Sequence, residues 1–293
     1  MKLRSLSYIA TGKYLRIPVR LETVEALVAA KTNSIMSRFG NLELGGEEEN
    51  WQQEQKPLAK DEAYYLAQAV AAFENGDFEQ ALRLYSKVLE FNPQNAGAWA
   101  GQVRMLIELG EYREAKLWAD KALERFPAWP ELLAAKAVAL ARAGDLQAAL
   151  AFSDASIEER GDTPYIWLAR GDVMLARSEQ RANYCFEKAM LLAPKDWFIA
   201  LLAARIRFYY EQFVLALNLL QQAIEWNAGR FILWLELGRC QQAMGLPGPA
   251  RSSFTHAHQL NPDCREAYDA LAHISHTGAI ARIRGWFNEH FKR

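Results

Sequence analysis

Residues 71–95, AAFENGDFEQALRLYSKVLEFNPQN, contain two runs with apolar residues at helical spacing, separated by a short polar break. The break is Gly76-Asp77, and Pro93 ends the second run. Ala81, near the start of the second run, recurs down the chain at a step of 34 residues, shortened once to 33. The recurring positions are Ala81, Ala115, Ala149, Ala182, Ala216 and Ala250. The stretch is therefore one of six copies of a repeated unit.

Each unit is predicted to be a pair of helices joined by a tight turn. Glycine at the break, as at Gly76 and Gly144, suits a left-handed helix end, and a small residue such as Gly171 lets two helices approach closely. A single pair cannot bury its own apolar faces, so the pairs must stack on one another. The sequence predicts an all-α fold, a right-handed superhelical solenoid of about six helix pairs.

The repeats divide the chain into four regions. The residues before them suit a β-hairpin followed by a helix, and then an acidic linker that contains glycine. The residues after them continue the helical pattern as capping and amphipathic helices. The predicted regions are 1–42 (N-terminal extension), 43–60 (linker), 61–264 (six repeats: 62–95, 96–129, 130–163, 164–196, 197–230 and 231–264) and 265–293 (C-terminal helices).

Composition favours a cytoplasmic protein. The net charge is −1, so we expect no general attraction to nucleic acid or to an acidic membrane. The three cysteines, Cys185, Cys240 and Cys264, are scattered and odd in number, which is typical of free thiols in a reducing compartment. No apolar run approaches the roughly 20 residues that span a bilayer, and the first residues lack the apolar core of a signal peptide.

A search for catalytic and ligand-binding motifs finds little. His273 and His276 have a helical spacing that could bind a metal ion, but without a further ligand in register they are interpreted as surface imidazoles. Ser34 lies in no strand-to-helix turn of the kind that presents a nucleophile, and the sequence has no glycine-rich phosphate loop. We expect no catalytic residue, no metal site and no cofactor, and a protein that is not an enzyme.

The repeats resemble the tetratricopeptide repeat (TPR), a family with a period of 34 residues. The resemblance covers about residues 62–264 and is closest in 98–127 and 233–262. The latter segment, LWLELGRCQQAMGLPGPARSSFTHAHQLNP, has seven residues of the family pattern in register: Trp234, Leu237, Gly238, Ala250, Phe254, Ala257 and Pro262. The resemblance implies a solenoid in which the first helix of each pair lines a concave groove.

Carried over position by position, the resemblance implies a groove lined by apolar, aromatic and arginine side chains. Such a groove suits a partner peptide or protein segment with apolar anchors and carboxylates. The predicted partner-binding residues are Phe73, Arg104, Arg142, Tyr165, Leu168, Phe198, Arg205, Phe208, Tyr209, Leu235, Arg239 and Gln242. Leu66 and Val70 stand where a receptor for chaperone C-termini would need lysine and asparagine, so that role is not expected. Exchange of Arg205 and Arg239 for glutamate is expected to abolish partner capture without changing the melting temperature.

The first functional hypothesis is a non-enzymatic scaffold or adaptor that assembles or regulates a complex. A regulatory or assembly subunit of a bacterial secretion or envelope machine is a second hypothesis, and an RNA-binding helical repeat is a third. The first 21 residues are basic and contain no acid, so they could touch an acidic membrane or dock as a hairpin on the solenoid. The last helix could cap the stack, occupy the groove or bind a second copy, and the oligomeric state stays open.

Overall fold

The computed structural model describes residues 60–159 and 162–274. Within these ranges the chain forms twelve α-helices and a further helical stretch at residues 265–274. The helices are Glu62–Glu74 (α1), Phe78–Phe91 (α2), Ala96–Glu108 (α3), Tyr112–Arg125 (α4), Pro130–Ala143 (α5), Leu146–Glu158 (α6), Pro164–Ala176 (α7), Ala182–Leu192 (α8), Trp197–Tyr209 (α9), Phe213–Trp226 (α10), Phe231–Ala243 (α11) and Pro247–Leu260 (α12). The predicted N-terminal hairpin and helix, nearly all of the predicted linker and the final predicted helix lie outside the described residues.

Consecutive helices form six pairs, from α1 and α2 to α11 and α12, and each repeat of the sequence contains one pair. The ranges that the structure describes contain helices and turns and no strand. The predicted all-α repeat fold is confirmed.

Short polar side chains start several of the helices. Asp61, Asp77, Asn95 and Asp145 each accept a hydrogen bond from the backbone N–H three residues further on, at 2.8–3.1 Å. Such a bond satisfies one of the N–H groups that a helix leaves without a partner in its first turn. Because these residues precede each apolar run by one position, the sequence itself marks where the helices begin.

The turns within the pairs use a left-handed residue at one register position. Gly76 and Gly144 adopt φ values of 78° and 95° there, as predicted for glycine at the break. The fourth and fifth pairs have no glycine at this point, yet Ser178 and Glu211 adopt the same conformation with φ of 58°. The geometry of the turn is therefore kept where the sequence departs from the pattern, with the cost of placing an L-residue in the left-handed region.

The helices of a pair cross where one of them has a small residue. A Cβ atom on Gly171 would lie 2.9 Å from the ring of Phe186, and a Cβ atom on Gly238 would lie 2.6 Å from the ring of Phe254. The prediction that small residues permit this close approach is confirmed for both pairs. Each aromatic ring occupies the space that a side chain on the glycine would need.

The pairs stack through both of their helices. In most cases the second helix of a pair packs on the first helix of the next, and each odd-numbered helix from α3 to α9 also contacts the next odd-numbered helix. We call the side on which the odd-numbered helices face one another the inner face. Among the described residues no helix combines the length and the apolar character needed to cross a bilayer.

The first helix pair meets the fifth and sixth pairs across the inner face. The rings of Phe73 (α1) and Phe198 (α9) pack edge to face with their centroids 5.0 Å apart. Ile232 (α11) lies so close to Gly76 that a Cβ atom there would come within 2.9 Å of its Cδ1 atom. The groove predicted along this face is therefore not open over its whole length.

Candidate functional site

The structure divides the twelve predicted partner-binding residues into three groups. Six lie in a closed centre of the inner face, three line a larger pocket, and three lie elsewhere. The closed centre contains Phe73, Arg104, Arg142, Tyr165, Leu168 and Phe198, the larger pocket contains Arg205, Leu235 and Arg239, and the remainder are Phe208, Tyr209 and Gln242.

Arg104 fills the closed centre together with two aromatic rings. Its guanidinium carbon lies 4.8 Å from the ring centroid of Phe73 and 3.9 Å from that of Tyr165. Burial raises the pKa of the Tyr165 hydroxyl. The space left beside these side chains is only 30 Å³, which is too small for a side chain of a partner.

A buried ion pair forms the second part of the closed centre. Nη2 of Arg142 lies 2.6 Å from Oδ2 of Asp172, and the hydroxyl of Tyr210 donates to Oδ1 of the same carboxylate at 2.7 Å. Asp172 is only 1% exposed. Burial would lower the pKa of Arg142, but the carboxylate of Asp172 outweighs that effect and raises it. Arg142 is therefore held by this chain and is not free to bind a partner.

Tyr209 covers the solvent side of this ion pair. The guanidinium carbon of Arg142 lies 3.6 Å from its ring centroid. Burial, with a hydrogen bond to Tyr112, raises the pKa of Tyr209 to about 12. Its side chain and that of Gln242 are exposed, whereas Phe208 packs against Phe213.

The larger pocket, here called the seam pocket, lies where the first helix pair meets the last. It has a volume of about 700 Å³. Its walls come from the end of α1, the start of α2, from α9 and α11, and from residues 261–266: they include Asn75, Arg205, Ile232, Leu235, Arg239 and Glu266. The pocket is thus built from parts of the chain that are far apart in sequence.

A chain of ion pairs crosses the inner face beside this pocket. Arg205 contacts Glu108 at 3.0 Å and Glu236 at 3.6 Å, and its guanidinium carbon lies 4.3 Å from the ring centroid of Phe78. Arg239 contacts the same Glu236 at 3.0 Å and Glu266 at 2.5 Å. Both of these arginines were predicted to meet a partner, and both are already paired within the chain.

This pairing changes the expected effect of the double glutamate exchange. A glutamate at position 205 would stand beside Glu108 and Glu236, so the contact between distant helix pairs would become repulsive. We therefore now expect the double exchange to lower the melting temperature, and smaller substitutions are needed to test the pocket.

Sequence reasoning missed Glu108 and Glu236, the acids that hold these arginines. Each lies on an odd-numbered helix and faces the inner side of the stack, as the ion pairs to Arg205 show. An acid at an inner-facing register position was the available signal. This signal identifies the arginine that pairs with the acid only if the superhelix is known to bring the first helix pairs close to the last ones.

The described ranges contain no group of three His, Cys, Asp or Glu side chains placed to hold a metal ion. His273 lies in the helical stretch 265–274, and His276 lies outside the described residues.

Residues 72–139 match the family model of the tetratricopeptide repeat. The chain contains tetratricopeptide repeats. A stretch of 53 residues is 38% identical to an uncharacterized protein of Methanocaldococcus jannaschii, and this match spans 18% of the TPR chain and 62% of that relative.

Three solved TPR structures are similar to this chain. One is a TPR protein from Parabacteroides merdae, with 15% identity over 87% of this chain and 95% of that chain, at a TM-score of 0.48. A thermophilic TPR protein of Thermus thermophilus has 18% identity over 73% and 98% of the two chains, at 0.45. YrrB, described as a TPR protein with an unusual peptide-binding site, has 16% identity over 64% and 96%, at 0.38.

Proposed function

We propose that this TPR protein is a non-enzymatic scaffold, an adaptor that binds a segment of a partner protein on its inner face and so assembles or regulates a complex. The observation that carries the proposal is the seam pocket. Its volume of about 700 Å³ lies within the range of roughly 300–1,000 Å³ that is usual for ligand sites. The closed centre of the inner face offers no comparable space.

The chemistry of the pocket supports a partner segment with an apolar anchor and a carboxylate. Ile232 and Leu235 supply apolar walls. Arg239 is paired with Glu266, whose side chain is 64% exposed. An ion pair this exposed stabilises a protein by only about 0–1 kcal/mol, so a carboxylate of the partner can replace Glu266 on Arg239.

A scaffold role also fits the family, because TPR proteins are generally non-enzymatic and bind other polypeptides. We further propose that the protein works in the cytoplasm. That location is supported by the three free thiols, of which Cys185 and Cys240 are buried.

The proposal is tested by selecting a displayed peptide library against the full chain and measuring the affinity of the selected peptides by fluorescence anisotropy. We expect dissociation constants near the micromolar range, about −8 kcal/mol. Selected peptides should contain an acidic residue next to an apolar one. Arg239→Ala should weaken binding about tenfold or more, because it removes a charged hydrogen bond of roughly 1.5–3 kcal/mol.

The matched control is Arg251→Ala, which removes an exposed arginine from α12, away from the pocket. This variant should bind the selected peptides as the unchanged chain does. Peptides that bind the Arg239→Ala variant with unchanged affinity would place the partner site outside the seam pocket. A library that yields no peptide above background would contradict the scaffold role.

A further inference from the structure

The walls of the seam pocket come from both ends of the helix stack, so the pocket exists only while those ends are in contact. We propose that a latch of two ion pairs, one beside the pocket and one outside it, holds the ends together, and that closure of this latch and binding of the partner stabilise one another. The binding half of this inference rests on the function proposed above, whereas the latch itself does not.

The latch consists of two ion pairs across the inner face. Oε2 of Glu74 (α1) lies 3.2 Å from Nη2 of Arg230, which precedes α11. Oε2 of Glu108 (α3) lies 3.0 Å from Nη2 of Arg205 (α9). Each pair joins an early helix to a late one, so neither stabilises a single helix pair. Their shared role is to hold the two ends in register.

Aromatic side chains shield both pairs from water on one side. The guanidinium carbon of Arg230 lies 4.5 Å from the ring centroid of Trp197, and that of Arg205 lies 4.3 Å from the ring centroid of Phe78. A guanidinium over an aromatic face is attracted by the ring, and its ion pair is less screened there than in open solvent. The edge-to-face contact of Phe73 with Phe198 lies beside them and adds apolar area to the same junction.

The junction between the ends is smaller than the packing within the stack. Neighbouring helix pairs bury continuous rows of side chains, such as Ala115, Ala119 and Ala122, which have no exposed surface. The ends are joined by a few aromatic contacts and by ion pairs whose side chains are 19–38% exposed. Separation of the ends is therefore the opening that disturbs the fold least.

Glu74 and Arg230 do not line the seam pocket. A change at this pair can therefore affect the pocket only through the position of the two ends. Because a peptide in the pocket touches both ends, closing the latch and binding the peptide favour each other by the same coupling free energy, so opening the latch weakens peptide binding. Any condition that weakens the ion pairs, such as high salt, would therefore lower the affinity of the seam pocket for its peptide.

The test measures the separation of the ends by pulsed electron paramagnetic resonance. Spin labels are placed on Lys87→Cys (α2) and Arg251→Cys (α12), both exposed, in a full chain that also has Cys264→Ser. The unchanged latch should give one short distance. Glu74→Arg places two cations together and should shift the main distance by at least about 5 Å, the rise of one helical turn.

Glu74→Arg combined with Arg230→Glu restores the ion pair with its charges exchanged and should restore the short distance. The matched control is Glu124→Arg, which makes the same charge change at an exposed position of α4. High salt should lengthen the distance between the spin labels in the unchanged chain, as Glu74→Arg does. This provides a second measurement if that variant folds poorly. A distance that is the same in Glu74→Arg and in high salt as in the unchanged chain overturns the latch, whether or not any peptide binds.

The coupling between latch and pocket is tested by measuring the dissociation constant of the selected peptide. Glu74→Arg should raise its dissociation constant about fivefold or more, the lower end of typical coupling between sites, and the charge-exchanged pair should restore it. Saturating peptide should also return labelled Glu74→Arg to the short distance. A shifted distance with an unchanged dissociation constant overturns the coupling between latch and pocket but leaves partner binding itself standing.

Discussion

Oε2 of Glu74, at the end of the first helix, lies 3.2 Å from Nη2 of Arg230, which directly precedes the eleventh. Glu74 belongs to the first helix pair, and Arg230 stands immediately before the last one. Their contact depends on the small rotation that each helix pair adds to the one before it. One ion pair therefore reports on the geometry of the whole stack, and several properties of the protein follow from that closed arrangement.

Asp172→Asn is expected to destabilise the fold by about 3 kcal/mol. The exchange keeps the shape of the side chain but leaves the charge of Arg142 without its counterion, at a site where the arginine side chain is only 11% exposed. The free energy of unfolding from urea titration measures the effect.

Asp154→Asn is the matched control for that change, since the carboxylate of Asp154 pairs with Arg170 and is 46% exposed. Its loss should change the free energy of unfolding by at most about 1 kcal/mol. Equal effects of the two substitutions would show that Asp172 is not the buried partner of Arg142.

Gly238→Ala should destabilise the last helix pair by about 1–3 kcal/mol, because the added methyl group would press on the ring of Phe254. Gly248→Ala provides the control. It lies in α12 with no atom within 4 Å of the added Cβ, so it should stabilise the chain slightly, by at most about 1 kcal/mol. The urea midpoints of the two variants should move in opposite directions, and a shift of both to higher urea would refute the close crossing of α11 and α12.

Alkaline pH should destabilise the closed centre together with Tyr209, the tyrosine that packs on its ion pair. The pKa of Tyr209 is raised to about 12, and burial also raises the pKa values of Tyr165 and Tyr210. The unfolded chain releases these protons near pH 10, so it binds fewer protons than the fold above that pH. Stability should be complete below about pH 10 and fall as the pH rises toward 12.

Urea titrations at several pH values, with the ultraviolet absorbance of ionised tyrosine, measure this loss. Tyr209→Phe should reduce the slope of stability against pH in that window. A slope that is unchanged in Tyr209→Phe would argue against the raised pKa of this residue.

Glu211→Gly should stabilise the chain by about 0.5 kcal/mol. A left-handed backbone costs an L-residue roughly 1–2 kcal/mol, part of which is offset by the greater freedom of glycine in the unfolded chain. Gly144→Ala makes the reverse change at φ of 95°, where no atom lies within 4 Å of the added Cβ, and should destabilise by about 1–2 kcal/mol through the backbone alone. Thermal unfolding of both variants checks the pair, and changes of the same sign would be inconsistent with a left-handed turn at both positions.

The sequence predicts the helix pairs because their signals are local. Each turn is marked within a few residues, as at Gly76-Asp77, and the 34-residue period repeats that mark down the chain. The same register places Arg205 and Arg239 on one face, and the structure has both of them on the walls of the seam pocket. The helices, their turns and the face on which a residue lies could be predicted, because these features depend on the order of residues within one repeat.

The partners of those arginines could not be predicted in the same way. Whether Arg205 meets Glu108 depends on the pitch of the superhelix, which sums small rotations over several units and leaves no mark in any one of them. A wide superhelix with the same repeats would leave both side chains in water and the inner face open. The closed centre and the seam pocket are therefore properties of the assembled stack.

The contact between the rings of Phe73 and Phe198 tests the closed stack most directly, because it joins the first helix pair to the fifth. The measurement is a double-mutant cycle in urea unfolding with Phe73→Leu, Phe198→Leu and both together. An edge-to-face pair should give a coupling free energy of about 0.5–1.5 kcal/mol beyond the separate losses. Losses that simply add, with no coupling, would contradict the closure of the stack across its inner face.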